Sequence, residues 1–153
     1  MTGIWARRGT RPVVVRQTRY KNIYLFGAAC PATGASHALL LPWANTRTMN
    51  LFLRTMAAEI EPGRHIVLAL DRAGWHASKD LVTPPCISLL YLPPYSPELN
   101  PMENLWAYLK RRNLSNRTFD DEKDLLEAGT EAWCSLTPEL VQSICHRSWL
   151  DCL

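Results

Sequence analysis

Two carboxylates in this 153-residue sequence stand where acid chemistry can be done. Asp71 directly follows the apolar run His65–Leu70 (HIVLAL). Glu103 lies three residues after Asn100, inside the stretch Leu92–Asn113 (LPPYSPELNPMENLWAYLKRRN). An acid at the end of an apolar strand is unfavourable unless it is hydrogen-bonded, exposed or paired with a metal. Carboxylate oxygens suit Mg2+ or Mn2+, which bind through one or two such groups together with substrate phosphates and water. Phosphodiester chemistry can use two divalent ions about 4 Å apart, one activating a nucleophilic oxygen and one stabilising the leaving oxygen. Each acid also has a plain structural alternative. Asp71 fits a cap for the turn into Arg72-Ala73-Gly74. Asn-Pro-Met-Glu fits a capping box in which Glu103 reaches back to the Asn100 amide, and an acid in the first helical turn suits the dipole. For Asp71 the two readings weigh equally. For Glu103 the spacing alone favours the cap, and the two roles can coexist.

Other polar residues gather around these positions. His76 follows Asp71 by five residues and reads as a general base, a DNA contact or a helix-end residue. Arg72 adjoins Asp71. Glu103, Ala107 and Lys110 recur at i, i+4 and i+7, so they share one helix face beside the apolar stripe. Lys110, Arg111 and Arg112 close that helix, where cations suit the dipole and can also hold phosphates. Trp75 and Trp106 read as core rather than as stacking platforms.

The elements that must position these residues follow from periodicity and turn signals. Residues 1–19 are basic and irregular, with a short strand at Pro12–Val15. Tyr20–Cys30 reads as a strand, PATGAS as a turn and Ser36–Leu41 as the returning strand of a hairpin. Asn45 or Thr46 caps a helix carrying Met49, Leu53, Met56 and Ile60, and Pro62-Gly63 ends it. His65–Leu70 reads as a central strand buried on both faces. A short helix is expected over His76–Leu81 and another buried strand over Cys86–Leu92. Asn100 caps the next helix, Pro101 opens it, and Met102, Leu105, Trp106 and Leu109 form its apolar stripe. Thr118 caps a further helix containing Leu125, Leu126 and Trp133. Thr137-Pro138 starts the last, with Leu140, Val141, Ile144 and Cys145 inward. Strands alternating with helices imply an α/β sheet flanked by helices, in which ligands gather beyond the carboxyl ends of the strands.

Composition narrows the class. The length suits one domain over residues 1–153. No run of about 18 apolar residues is present and the start has no signal-peptide core, so the expectation is a cytoplasmic protein with no membrane partner. Cys30, Cys86, Cys134, Cys145 and Cys152 form no C-x-x-C pair, which argues against a zinc knuckle. The first four of these sit among apolar neighbours and read as reduced, buried thiols. Residues 1–58 carry eight basic side chains (Arg7, Arg8, Arg11, Arg16, Arg19, Lys21, Arg47, Arg54) and no acid, while residues 120–139 carry seven acids and one base. A polyanion would prefer the first region. Solvation of an edge strand by arginines accounts for the same pattern.

The stretches LALDRAGWH and LLYLPPYSPELNPMENLWAYLKRRN resemble the second half of the catalytic domain of bacterial insertion-sequence transposases of the mariner-like superfamily. These are DDE superfamily endonucleases. The hairpin YLFGAACPATGASHALLL and the preceding WARRGTRPVVV are similar to that family as well. The resemblance implies a ribonuclease H-like mixed sheet flanked by helices. It matches Asp71 to the second catalytic and metal-binding acid and Glu103 to the third, 32 positions later. It matches His76 to a position near the site, Asn100-Pro101 to the loop that sets the Glu-bearing helix, and Lys110 to the lysine after that helix's tryptophan. Arg72 and Arg111 are placed beside the site. The family's first acid lies on a central first strand before the W-x-x-R-G segment; here no Asp or Glu precedes Glu59. The expectation is an amino-terminally truncated transposase fragment, lacking that strand and inactive alone. Complete, it implies Mg2+- or Mn2+-dependent cleavage and strand transfer on double-stranded DNA (transposon ends and target), as a homodimer or with a partner transposase segment. Two further readings stand beside it: a non-catalytic DNA-binding or transposase-assembly module left as a transposon remnant, and a ribonuclease H-like nuclease outside transposition.

Overall fold

The computed structural model describes residues 22–71, 78–115 and 117–147. The chain runs β1 (Tyr24–Ala29), β2 (Ser36–Leu41), α1 (Thr46–Glu59), β3 (Ile66–Leu70), β4 (Ile87–Tyr91), α2 (Met102–Leu109), α3 (Glu122–Cys134) and α4 (Pro138–Cys145). A 3-10 turn over Pro97–Leu99 precedes α2, and a π-helical turn over Lys110–Leu114 continues it. This is a mixed α/β architecture. β1 and β2 pair antiparallel, Tyr24 opposite Leu41. β3 and β4 pair parallel, Ile66 beside Ile87 and Leu70 beside Tyr91. Among the described residues the two pairs form separate two-stranded sheets.

Strand alternation places the hairpin between two cores. From β1, Phe26 and Ala28 pack into a cluster with Met49, Phe52, Leu53 and Met56 of α1 and Leu70 and Ile87 of the parallel sheet. Leu25 and Ala29 face the other way, onto Leu105, Leu109, Ala132, Val141 and Cys145 from α2, α3 and α4. Gly27 lies between them. A Cβ there would stand 2.6 Å from Trp106 and 2.8 Å from Trp133. Those rings pack on each other at 5.9 Å, so Trp106 is core, as its spacing predicts.

The caps show how local chemistry starts each helix. Asn45 accepts from the Thr48 amide while Thr48 Oγ1 accepts from the Asn45 amide, a reciprocal capping box. Thr137 caps α4 and Pro138 opens it, as expected. α3 is capped by Asp121 and not by Thr118, because the Asp121 carboxylate accepts from the Asp124 amide at the true start of the turn. The expected His76–Leu81 helix is partly outside the described residues; its described part is a single turn in which Leu81 N donates to Ser78 O. Asn50 of α1 grips this segment from outside, donating to the Asp80 carbonyl and accepting from the Val82 amide. The Pro12–Val15 strand lies outside the described residues.

The parallel sheet departs from its expected double burial. Leu70 and Ile87 are buried, but Val67 is 64 % exposed and Leu90 55 % exposed, and Ala69 and Ser88 share their outward side. The described helices cover only the side that carries Leu68, Leu70, Ile87 and Leu89. Burial also separates the cysteines. Cys145 is buried, and that burial pushes its thiol pKa up, partly offset by Arg147. Cys86 is half-buried, whereas Cys30 and Cys134 are exposed, against the expectation of buried thiols.

Candidate active site at the carboxyl end of the parallel sheet

Asp71 leaves the carboxyl end of β3 as an exposed residue with an interaction of its own. The register brings the end of β4 alongside it: Leu92 N donates to Leu70 O at 2.9 Å. The chain therefore departs for α2 from the point in the sheet that adjoins Asp71. This is the strand-end position at which α/β sheets collect ligands.

Between Leu92 and α2 the backbone is fixed by Pro93, Pro94, Pro97 and Pro101. Asn100 sets the helix start in a way its spacing does not reveal. Its side chain accepts from the Met102 amide at 3.1 Å, while its own amide donates to the Pro97 carbonyl at 3.0 Å. The capping box expected from Asn-Pro-Met-Glu needs that amide for Glu103, and the 3-10 turn has already engaged it. The start of α2 is held from behind as well: the Cys145 thiol donates to the Pro101 carbonyl at 3.9 Å and Asn104 Nδ2 to the Ile144 carbonyl at 3.4 Å.

Glu103 is thus an exposed carboxylate in the first turn of α2. Among the described residues no hydrogen bond or ion pair holds its side chain. Ala107 and Lys110 are exposed on the same face, as the spacing predicts. Lys110, Arg111 and Arg112 are all exposed and fall in the π-helical turn, with Ser115 Oγ donating to the Lys110 carbonyl at 2.6 Å. Single π turns in helices recur at functional sites. Arg72 and His76 lie outside the described residues. Among the described residues no hydrogen bond or ion pair joins Lys110 or Arg111 to Glu103. The described residues contain no group of three or more His, Cys, Asp or Glu side chains that could hold a metal ion. The carboxylate oxygens of Asp71 and of Glu103 are donors of the type a hard divalent cation takes.

One residue of this loop was not singled out by its type. Tyr95 has φ of 59° and is 101 % exposed. A left-handed conformation is unfavourable for a tyrosine by about 1–2 kcal/mol, and an exposed ring recovers nothing by packing. Asn tolerates this region far better. Tyr95→Asn is therefore expected to raise Tm by about 2–4 °C for a gain of about 1 kcal/mol. A fall in Tm by thermal melting would show that the ring is held by contacts and that the strain account is wrong.

Comparison with known proteins places these residues in a family. A profile described as DDE superfamily endonuclease matches residues 2–126, which include both Asp71 and Glu103. An uncharacterised protein of Sinorhizobium fredii (strain NBRC 101917 / NGR234), y4pE/y4sA, is 42 % identical over 128 residues, spanning 82 % of this chain and 95 % of that protein. No solved structure matches. With most of its length matched by that profile, the chain belongs to the DDE superfamily of endonucleases.

Proposed function

We propose that this chain is the carboxy-terminal part of the catalytic domain of an insertion-sequence transposase of the mariner-like superfamily, folded as a single ribonuclease H-like domain. Asp71 and Glu103 serve as its second and third catalytic acids. The observation that carries this reading is Glu103: its capping partner is engaged elsewhere, and its carboxylate stands exposed at the head of a helix that the rest of the fold holds in place.

In this reading the two carboxylates would hold Mg2+ or Mn2+. The bound ions supply activation of the attacking oxygen and stabilisation of the leaving one. Asn100 and the proline loop fix where Glu103 points. Lys110 and Arg111 neutralise phosphates of the substrate strand. The substrate is double-stranded DNA at transposon ends and target, with water and then a DNA 3′-hydroxyl as nucleophile. A homodimer or a second transposase segment completes the assembly, in the cytoplasm.

A second reading is favoured by one observation: the described residues offer two acids and no three-ligand cluster. A non-catalytic DNA-binding or assembly module needs no more. Metal titration separates the two. Mn2+ binding, followed by electron paramagnetic resonance, is expected to be weak in the chain as it stands. It is expected to weaken about tenfold or more in both Asp71→Asn and Glu103→Gln. Identical titrations for all three proteins would remove the two acids from the metal site.

A further inference from the structure

A groove of about 780 Å3 opens along the amino-terminal half of α1, away from the acids. Pro42 and Trp43 form one wall, Val82 and Pro84 the other, and Arg47 and Arg54 line it from the helix. Most of its polar groups are already engaged. Asn45 and Thr48 cap each other, and Asn50 is bonded to Asp80 and Val82. What is left is Trp43, 67 % exposed, and two exposed arginines with no ion pair among the described residues.

Three features give this groove a preference for anions. No carboxylate lines it; Asp80 borders an adjoining recess shared with Arg47 and Asn50, and no ion pair joins it to Arg47. α1 has no acid in its first turn, whereas α2 and α4 each have one and α3 has two. Arg47 instead sits in that first turn, where the helix dipole disfavours a cation. Arg47 and Arg54 lie seven residues apart on one face, so they present two charges about 10 Å apart along the groove. Asn50 also ties the Asp80–Val82 segment of the far wall to α1, which fixes the width of the groove.

We propose that this groove binds a single strand of DNA, with phosphates on Arg47 and Arg54 and an unpaired base stacked on Trp43. A charged groove with an exposed aromatic platform is the physical form of single-strand binding sites, because stacking needs a base that is free of its duplex. The choice of DNA among anionic polymers rests on the nuclease reading above; the groove itself does not depend on the two acids.

The test is fluorescence anisotropy of a labelled oligothymidylate titrated with the full chain across a salt series. Trp43→Ala is expected to weaken binding about tenfold or more, and Trp43→Phe to restore most of it. The double variant Arg47→Ala/Arg54→Ala is expected to flatten the slope of log K against log salt by about 1.4, the value for two phosphates on a single strand. Asp80→Asn is expected to tighten binding. All of these residues are exposed, and melting curves confirm that each variant folds. Unchanged affinity in Trp43→Ala, or an unchanged salt slope in the arginine variant, overturns the proposal. So does preference for a fully paired duplex of the same length. The assay is run in metal-free buffer, so the metal contact assigned to Asp71 and Glu103 does not enter it. Loss of metal binding with retained oligothymidylate binding therefore bears on the acids alone, and the reverse result bears on the groove alone.

Discussion

Gly34→Ala is expected to destabilise the chain by about 2–5 kcal/mol, and Gly63→Ala by only about 1–2 kcal/mol. Both glycines have positive φ, 74° and 84°. The left-handed penalty is therefore common to the two substitutions. Their surroundings differ. A Cβ on Gly63 meets nothing within 4 Å, while one on Gly34 runs into the Pro138 carbonyl oxygen and comes within 2.6 Å of the Pro138 Cα. The obstacle is backbone, and it cannot move alone. Pro138 opens α4, whose start is fixed by Thr137 accepting from the Leu140 amide. The same helix is clamped to the hairpin turn by Gln142, which donates to the Ala32 carbonyl at 2.6 Å. The turn is closed on its own side by Gly34 N donating to Cys30 O and Cys30 N to Ala35 O. Overpacking against such a frame adds about 1–3 kcal/mol to the backbone strain. Against a total stability of about 5–15 kcal/mol this is a large fraction. Thermal melts should place Gly34→Ala about 4–20 °C below the parent. If Gly34→Ala and Gly63→Ala melt within a degree of each other, the packing of the hairpin turn on α4 is not as described.

The hairpin and α1 show what a sequence of this kind discloses. Ser36–Leu41 ends where its alternating and turn residues end it, and α1 starts at the Asn45 cap. Those outcomes depend on neighbours a few residues away. The outward face of β3 does not. A continuous apolar run is compatible with one covered face or two, and only the placement of the other elements leaves Val67 exposed. The start of α3 was misplaced because Thr118 and Asp121 are both cap-forming types, and the choice falls to the amide each can reach. The turn at Ser78–Leu81 follows a similar rule, since Asn50 grips it from thirty residues away. Tyr95 gives no signal at all, since tyrosine is not a residue type that favours the left-handed region its φ occupies. At the acids the pattern was legible and its assignment was not. Asn100 and Glu103 have capping-box spacing, yet the residue that engages the Asn100 amide is Pro97, behind it in the chain.

That misassignment sets up the decisive comparison at Glu103. In a protein completed by an upstream strand bearing an acid, Glu103→Gln is expected to lower Mg2+-dependent cleavage of transposon-end DNA by at least about a hundredfold. Asp71→Asn is expected to have an effect of the same order. Glutamine is the informative substitution because it serves a capping box as well as glutamate does. If Glu103 were only a cap, Gln would preserve both fold and cleavage. The fold should indeed be nearly unaffected. The Asn100 amide donates to Pro97 in any case, and losing a charge at the positive end of α2 costs about 0.3–1 kcal/mol. A metal ligand behaves differently, since a neutral amide oxygen replaces a charged one where the cation needs hard anionic donors. The signature is therefore a protein that melts within about 2–4 °C of its parent and still binds DNA, but no longer cleaves. Retained cleavage in both Glu103→Gln and Asp71→Asn would refute the two-acid assignment, and with it the reason for a rigid loop that presents Glu103 to solvent.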